Sequence, residues 1–455
     1  MNIKIPIKSA FSEEHNIQAP RYTSYPTVPY WDNALVETVW KQKVRGAFQA
    51  YGAEGISLYI HLPFCESLCT YCACNTRITV NHAVEEPYIM SLLKEWRMYL
   101  GVLGSRPRIK ELHLGGGTPT FFSPENLNRL ISSILSDCDM ALEHSFSFEG
   151  HPANTRMEHL KALAKLGFNR VSFGVQDFDP LVQDAINRYQ TFEEVEQVMR
   201  DARSLNYRSV NIDLVYGLPF QSTESVRDTV EKIIQLKPER IAFYSYAHVP
   251  WLKPGQRKYS EKDLPADSVK RALYDMGKEL LAQAGYVDVG MDHFALPGDE
   301  LYRAYFNKSL HRNFMGYTEQ HTKLLIGLGV SSISDSLDGF AQNVKTLEKY
   351  QEMIQNGHLP VFKGHSLNAE DLRVREHILD LMCRYETKLD EAECRRNPEL
   401  VQRLQALFER DWIQHDGSLL LVKDSGRPYL RNICLAFDER YWRKIPEKAT
   451  FSTTA

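Results

Sequence analysis

Six short runs along the chain are apolar at most positions and rich in β-branched or aromatic residues. They are ISLYIHLPF from Ile56, KELHLGGG from Lys110, SFSFEG from Ser145, RVSFGVQ from Arg170, SVNIDLVYG from Ser209 and RIAFYSYAH from Arg240. Each predicts a buried strand. Between them, EPYIMSLLKEWRMYL, SPENLNRLISSILSD, NTRMEHLKALAKLGF and TFEEVEQVMRDARSLNY carry apolar residues at helical spacing. Their starts are marked as well. Ser123 before Pro124 reads as an N-cap with proline at the first helical position, and Thr191 with Glu194 fits a capping box. Strand and helix alternating in this way predict βαβ units and a parallel sheet. Six such units suggest a partial or complete (β/α) barrel, expected over residues 51–365 behind an N-terminal segment, 1–50.

From about Ser366 the pattern changes. AEDLRVREHILDLMCRYE and NPELVQRLQALFERDW read as amphipathic helices, followed by a hairpin in IQHDGSLLLV with Asp416 and Gly417 in the turn. Residues 366–455 are therefore expected to form a small, mostly helical, winged-helix-like domain. Such a domain can bind DNA, but this one carries 15 Lys and Arg against 16 Asp and Glu. Without a basic stripe for phosphates, packing or substrate covering is the expected role, and nucleic acid is not an expected partner.

Composition narrows the class. The 455 residues are 43% hydrophobic and 25% charged with a net charge of -4, as in a globular protein large enough to bury a sizeable core. No apolar run approaches the ~18 residues of a membrane span, and the N-terminus lacks a long apolar signal region. A cytoplasmic location without membrane association is the expectation. Thiols stay reduced there, so crowded cysteines point to metal or redox work rather than to disulfides.

Crowded cysteines are present. CESLCTYCAC, Cys65 to Cys74, holds four of the eight cysteines in ten residues. Structural zinc sites generally pair two knuckles from separate segments, whereas these thiols share one loop after one strand. An iron–sulfur cluster can take three thiolates from such a loop and leave one iron open to a small molecule. Tyr71 would sit beside that iron, and His61 could hydrogen-bond nearby. Cys138, Cys383, Cys394 and Cys434 are scattered and read as small buried hydrophobes.

The spacing C-x3-C-x-aromatic-C on the loop after a first strand resembles the radical S-adenosylmethionine (SAM) superfamily. A narrower match comes from PRYTSYPT at Pro20, YIHLPFC at Tyr59, LHLGGGTPT at Leu112, GFNRVSFGVQDF at Gly167, NIDLVYGLP at Asn211, YAHVP at Tyr246, MDHFA at Met291, HRNFMGYT at His311 and RNICLAFD at Arg431. Over about residues 18–445 these segments resemble the oxygen-independent coproporphyrinogen III oxidases. The resemblance implies a partial (β/α)6 barrel with an N-terminal extension. It implies one 4Fe-4S cluster on Cys65, Cys69 and Cys72, with Cys74 matching a cysteine that is not a ligand, and two SAM molecules. Tyr59, Gly116 and Glu149 match contacts of the first SAM. Tyr71, Gly117, Thr118, Gln176, Arg188, Asp213, Ala247 and Ile333 match contacts of the second. The implied reaction is radical decarboxylation of two propionates of coproporphyrinogen III to vinyl groups, giving protoporphyrinogen IX. A reductant such as flavodoxin or ferredoxin and a monomeric state are implied with it.

These positions also make physical sense individually. Reacting groups of a (β/α) barrel collect at the C-terminal strand ends, where Gly115 to Gly117, Glu149, Gln176 and Asp213 are expected. Glycines admit close backbone approach, although a bare tight turn gives the same letters. Glu149 and Asp213 follow apolar runs and need amine or hydroxyl partners, for which a structural salt bridge is the rival to SAM. Arg188 could grip a carboxylate or pair with a surface acid. Arg21, His311 and Arg312 are candidate anchors for substrate propionates, with the N-terminal segment folding over the cluster. One departure from the family pattern is EGHP at Glu149 to Pro152, where Gly150 and His151 are expected to alter the local turn. The alternatives are a radical SAM-like haem chaperone, whose members generally lack the second cysteine of C-x-C, another radical SAM tetrapyrrole enzyme, or a zinc-stabilised regulatory protein.

Overall fold

The computed structural model describes residues 17–32, 35–446 and 450–452. The part of the expected N-terminal covering segment before Ile17 lies outside the described residues. All six expected strands form: β1 (Ile56–Leu62), β2 (Arg108–Gly116), β3 (Asp139–Gly150), β4 (Arg170–Gln176), β5 (Ser209–Tyr216) and β6 (Arg240–Ser245). They pair in sequence order and in parallel. The near-continuous burial of β1 follows from a sheet covered on both faces.

Six further strands extend this sheet to twelve: β7 (Val287–Gly290), β8 (His293–Ala295), β9 (Leu325–Leu328), β10 (Ile333–Asp335), β11 (Gly339–Asn343) and β12 (Val361–Ser366). The order is β12-β11-β10-β9-β1-β2-β3-β4-β5-β6-β8-β7. It has two ends, so the barrel is partial. β9 joins β1 in parallel, while β10 to β12 and β8 with β7 are antiparallel additions. Several of these strands are three or four residues long, too short for a period-two pattern to show in the sequence.

The helices α1 (Glu37–Tyr51), α2 (Glu85–Leu103), α3 (Pro124–Ser136), α4 (Met157–Lys165), α5 (Pro180–Ile186), α6 (Phe192–Ser204), α7 (Thr223–Leu236) and α8 (Asp267–Gln283) accompany the sheet. Ser123 Oγ accepts the Asn126 N–H at 3.2 Å. Thr191 and Glu194 cap each other reciprocally, at 3.2 and 2.8 Å. The apolar faces meet the sheet in one core that includes Trp40, Trp96, Phe146, Phe148 and Phe173, all fully buried. α1 contributes Trp40, whose indole N–H reaches the Tyr99 hydroxyl at 3.0 Å.

Residues 369–443 follow the order helix, strand, helix, helix, hairpin: Ala369–Arg384, Glu386–Lys388, Glu391–Arg396, Pro398–Glu409 and Ile413–Asp416 with Leu419–Val422, before two last helices. Gly417, at φ +63°, makes the expected turn. A second core joins Val374, Ile378, Cys434 and Phe437 of this region to Tyr22 and Tyr25 of the N-terminal segment. Tyr22 donates to Asp438 at 3.0 Å, and Arg431 holds the Pro20 carbonyl at 3.2 Å and that of Ala19. The C-terminal region thereby fixes the segment that runs along the mouth of the cleft.

Candidate active site

The C-terminal strand ends open into a cleft of about 770 Å³. Cys65, Cys69, Cys72 and Cys74 line it together with Tyr71, Gly116, Gly117, Thr118, Glu149, Gln176, Arg188, Asp213, Ala247 and Arg21. The cysteine loop is pinned along its length. Thr70 N–H and Oγ1 bind the carbonyls of Ile186 and Ala185, each at 2.9 Å, and Asn187 Nδ2 donates to Leu68 O at 2.8 Å. At its far end His61 Nε2 bonds the Asn75 carbonyl at 2.9 Å. A carbonyl only accepts, so Nε2 carries the proton and Nδ1 accepts from the Tyr59 hydroxyl, 3.0 Å away. Burial lowers the His61 pKa, in keeping with this neutral form.

Among the described residues no three His, Cys, Asp or Glu side chains converge on one metal ion. An iron–sulfur cluster does not require that, because its thiolates bind different irons around a shared core. Burial raises the Cys65 thiol to about 11, and its Sγ lies 3.4 Å from the Thr118 hydroxyl. A hydrogen bond with Cys74 brings Cys72 down to about 6, and the Cys74 N–H lies 3.4 Å from the Cys72 sulfur. Beside these sulfurs stands Arg188, whose Nη1 is 3.6 Å from Cys69 Sγ. Three thiols facing one cleft, with a buried cation to offset their charge, fit a cluster.

The glycine run is set by space. At Gly116, φ is +116° and a Cβ would meet the His61 ring at 2.6 Å. At Gly117 it would meet the Pro63 carbonyl at 2.7 Å, and at Gly115 the Glu149 carboxylate at 3.0 Å. The backbone thus passes directly under Glu149, which accepts Gly116 N–H at 3.2 Å and faces His113 Nε2 at 3.4 Å. Burial pushes this carboxyl up, but His113 and Gly116 outweigh it and hold the pKa below the usual carboxylate value. Asp213 behaves oppositely. Burial and the nearby Glu149 charge raise it to about 6, against hydrogen bonds from Asn211 Nδ2 at 2.8 Å and Ser172 Oγ at 3.0 Å. Neither of those donors is charged, so Asp213 is not the salt-bridge partner that its burial had left open.

Arg188 is placed by α5 and the turn after it. Its Nε donates to the Gly174 carbonyl at 3.1 Å, and Nη2 reaches the same oxygen. A Cβ at Gly174 would press on Gln176 and Arg188 at 2.6 and 2.9 Å. Gln176 itself sits at φ +70°, beside the register shift between β4 and β5. Backbone strain at a residue that lines a cleft is a recurrent property of working sites. Gln256 ties the carbonyls of Tyr71 and Ala247 together through Nε2, each at 3.2 Å.

Other expected residues lie elsewhere. Tyr59 is buried, is not among the residues that line the cleft, and bonds His61, which does not line it either. Ile333 borders an adjacent small cavity that shares Tyr22 to Ser24 with the main cleft. Arg21 lines the cleft and is held by Asp292 at 3.2 Å and the Ser245 carbonyl at 3.0 Å. His311 is not brought there. It stacks on His321 at 4.1 Å in a separate pocket with Glu111 and Arg375. Arg312 packs over the Tyr317 ring at 4.5 Å and donates to the Arg21 carbonyl at 3.4 Å, so it supports Arg21 from behind. At the departing EGHP turn, the His151 carbonyl accepts Thr155 N–H at 2.9 Å, and a Cβ on Gly150 would meet Thr155 Oγ1 at 2.7 Å. The turn closes on itself and leaves Glu149 facing Gly116. Sequence reasoning missed His113, Ser172 and Gln256. The first two are polar residues inside strands whose neighbours are buried, a readable signal, whereas Gln256 is placed only by the tertiary fold.

A model of the radical SAM superfamily matches residues 59–233. The oxygen-independent coproporphyrinogen III oxidase of Pseudomonas aeruginosa is 38% identical over 93% of this chain and 94% of its own length. The chain belongs to the oxygen-independent coproporphyrinogen III oxidase family. A member from Synechocystis is 37% identical over 93% of both chains. The solved structure of the Escherichia coli coproporphyrinogen III oxidase, a radical SAM enzyme, superposes with a TM-score of 0.87 at 34% identity, covering 92% of this chain and 97% of that one. As a member of this family the chain is a radical SAM oxidoreductase that uses a 4Fe-4S cluster and SAM. No helix among its described residues is long and apolar enough to cross a membrane.

Proposed function

We propose that this chain converts coproporphyrinogen III to protoporphyrinogen IX without oxygen, by oxidative decarboxylation of two propionates to vinyl groups in haem biosynthesis. The observation that carries this reading is the convergence, in one cleft, of the cysteine loop with Glu149, Arg188, Asp213 and the glycine run. Cys65, Cys69 and Cys72 would hold the cluster, with SAM bound beside it in the same cleft. When bound, cluster and SAM would supply the one-electron, hydrogen-abstracting chemistry that oxidative decarboxylation of a propionate requires.

The chain's own residues position and insulate. Glu149, kept ionised, receives an ammonium or hydroxyl of the first SAM, and the Gly116 and Gly117 backbone admits it closely. Arg188 presents a guanidinium that, among the described residues, has no carboxylate as a hydrogen-bond acceptor, suited to a second SAM's carboxylate, with Tyr71, Gln176, Asp213 and Ala247 around it. Cys74 stays off the cluster and hydrogen-bonds Cys72. Arg21 is the propionate anchor on the cleft wall. Arg312 supports that wall through the Arg21 carbonyl, whereas His311 has no part in it. The enzyme works as a cytoplasmic monomer with a one-electron reductant such as flavodoxin or ferredoxin, without nucleic acid or membrane.

Anaerobically reconstituted protein given SAM, reductant, an electron acceptor and coproporphyrinogen III tests this by mass spectrometry. Successive loss of two formic acid equivalents, absent in Cys65→Ala, is expected. Intact macrocycle despite SAM cleavage would overturn it in favour of haem handling or another tetrapyrrole reaction.

A further inference from the structure

Outside the cleft, the segment from Pro250 to Asp263 joins an apolar tip to an excess of positive charge. Trp251 and Leu252 are 54% and 64% exposed, and Leu68 of the cysteine loop is 43% exposed and faces Gly255. Scattered single apolar residues on a surface need no explanation, but adjacent ones beside a redox loop do. The segment carries Lys253, Arg257, Lys258 and Lys262 against Glu261 and Asp263, in a chain whose net charge is -4.

The hydrogen bonds of three of these cations go to backbone carbonyls. Lys253 Nζ donates to Cys74 O at 3.1 Å, Arg257 Nε to Pro250 O at 3.1 Å and Lys258 Nζ to Asp184 O at 2.5 Å. Of the nearby acids, Asp263 is engaged as the cap of Ser260 and Asp184 accepts from Tyr189. The positive charge is therefore left facing solvent. Lys253 joins the segment to the cysteine loop directly, and Gln256 does so again through the Tyr71 carbonyl.

We infer that this segment, with Leu68, is the docking surface for the electron donor, a small acidic one-electron carrier protein. The inference rests on the functional reading above, which requires a reductant, and adds where it binds and by what chemistry. The step transfers one electron from the carrier's reduced cofactor to the cluster; the carrier is oxidised by one electron, the cluster is reduced by one, and no bond forms. Basic residues around an apolar centre suit such transient encounters, in which complementary charge steers approach and sets much of the affinity at low salt. An acidic surface on the carrier answers the lysines and arginine, while Trp251 supplies the aromatic anchor expected at an interface centre.

The test uses the reconstituted full chain, with purified flavodoxin and a bacterial ferredoxin as probes. Association is followed by calorimetry, and cluster reduction by stopped-flow absorbance, at two salt concentrations. The double variant Arg257→Glu with Lys258→Glu is expected to bind the carriers about tenfold more weakly at low salt and to accept electrons from them correspondingly more slowly. Wild-type binding is expected to weaken with salt. Trp251→Ala should weaken binding without changing its salt dependence. Reduction by dithionite, which needs no docking surface, should be unchanged in both variants. Equal carrier binding by wild type and double variant would overturn the inference, as would wild type that binds neither carrier. Failure of wild type to decarboxylate the substrate even with dithionite would instead count against the functional reading.

Discussion

The Arg188 guanidinium donates to the Cys69 sulfur at 3.6 Å while gripping the Gly174 carbonyl, which sets a fixed positive charge beside the cysteine loop. The fork shape matters as much as the charge, because it holds the backbone of β4 and faces the cleft together. Arg188→Lys keeps the charge and loses the fork. SAM affinity, read by equilibrium binding to the reconstituted protein, is expected to fall roughly tenfold or more, in line with the ~1.5–3 kcal/mol of a hydrogen bond to a charged group. Iron and sulfide content should match wild type.

Gly116 allows no side chain. With φ at +116° and the His61 ring 2.6 Å from a would-be Cβ, Gly116→Ala carries both backbone strain and a clash. A loss of about 1–3 kcal/mol is expected from the backbone alone. Urea unfolding of the variant measures it, and cleavage of SAM should fall with it because the Glu149 hydrogen bond to Gly116 moves.

Asp213 makes the protein less stable as pH rises. Burial raises its folded-state pKa to about 6 from an ordinary 3.8, so the folded state holds the proton longer than the unfolded chain does. Stability from this group is therefore lost between about pH 4 and 6, and the penalty is full at pH 7. Asp213→Asn, measured without SAM, should be more stable than wild type at pH 7 by about 1–3 kcal/mol and show a flatter pH dependence in that window. SAM binding should weaken in the same variant, a stability gain at the cost of function.

The barrel interior away from the cleft is held by ions. Arg240 bonds Asp299 at 2.7 Å and Glu319 at 3.3 Å, and Arg170 joins Glu319. Burial alone would raise Glu319, but the two arginines hold it well below the usual range. Its contribution is thus present above the ordinary glutamate pKa and is lost as pH falls through the depressed one. Arg240→Met leaves buried carboxylates short of a partner and should cost about 3–5 kcal/mol at pH 7. Because protonation relieves that cost, the variant should lose less stability than wild type between pH 7 and 4, which denaturation at both values would show.

Much of this arrangement was legible in the chain. The six parallel strands declared themselves because a sheet covered on both faces needs unbroken apolar runs, and α3 and α6 because Ser123 and Thr191 cap by local hydrogen bonds. That Cys65, Cys69 and Cys72 face one cleft was legible because their short spacing keeps the three thiols on one loop. The added antiparallel strands were not, since three residues such as Ile333–Asp335 carry no period. Tertiary structure alone decided that His311 stacks on His321 away from the cleft, that Arg312 braces Arg21, and that Asp213 takes neutral donors rather than a cation. Local pattern encodes which backbone conformation is cheapest, whereas the partner of a buried charge depends on which distant strand ends meet, and that is fixed only once the sheet is assembled.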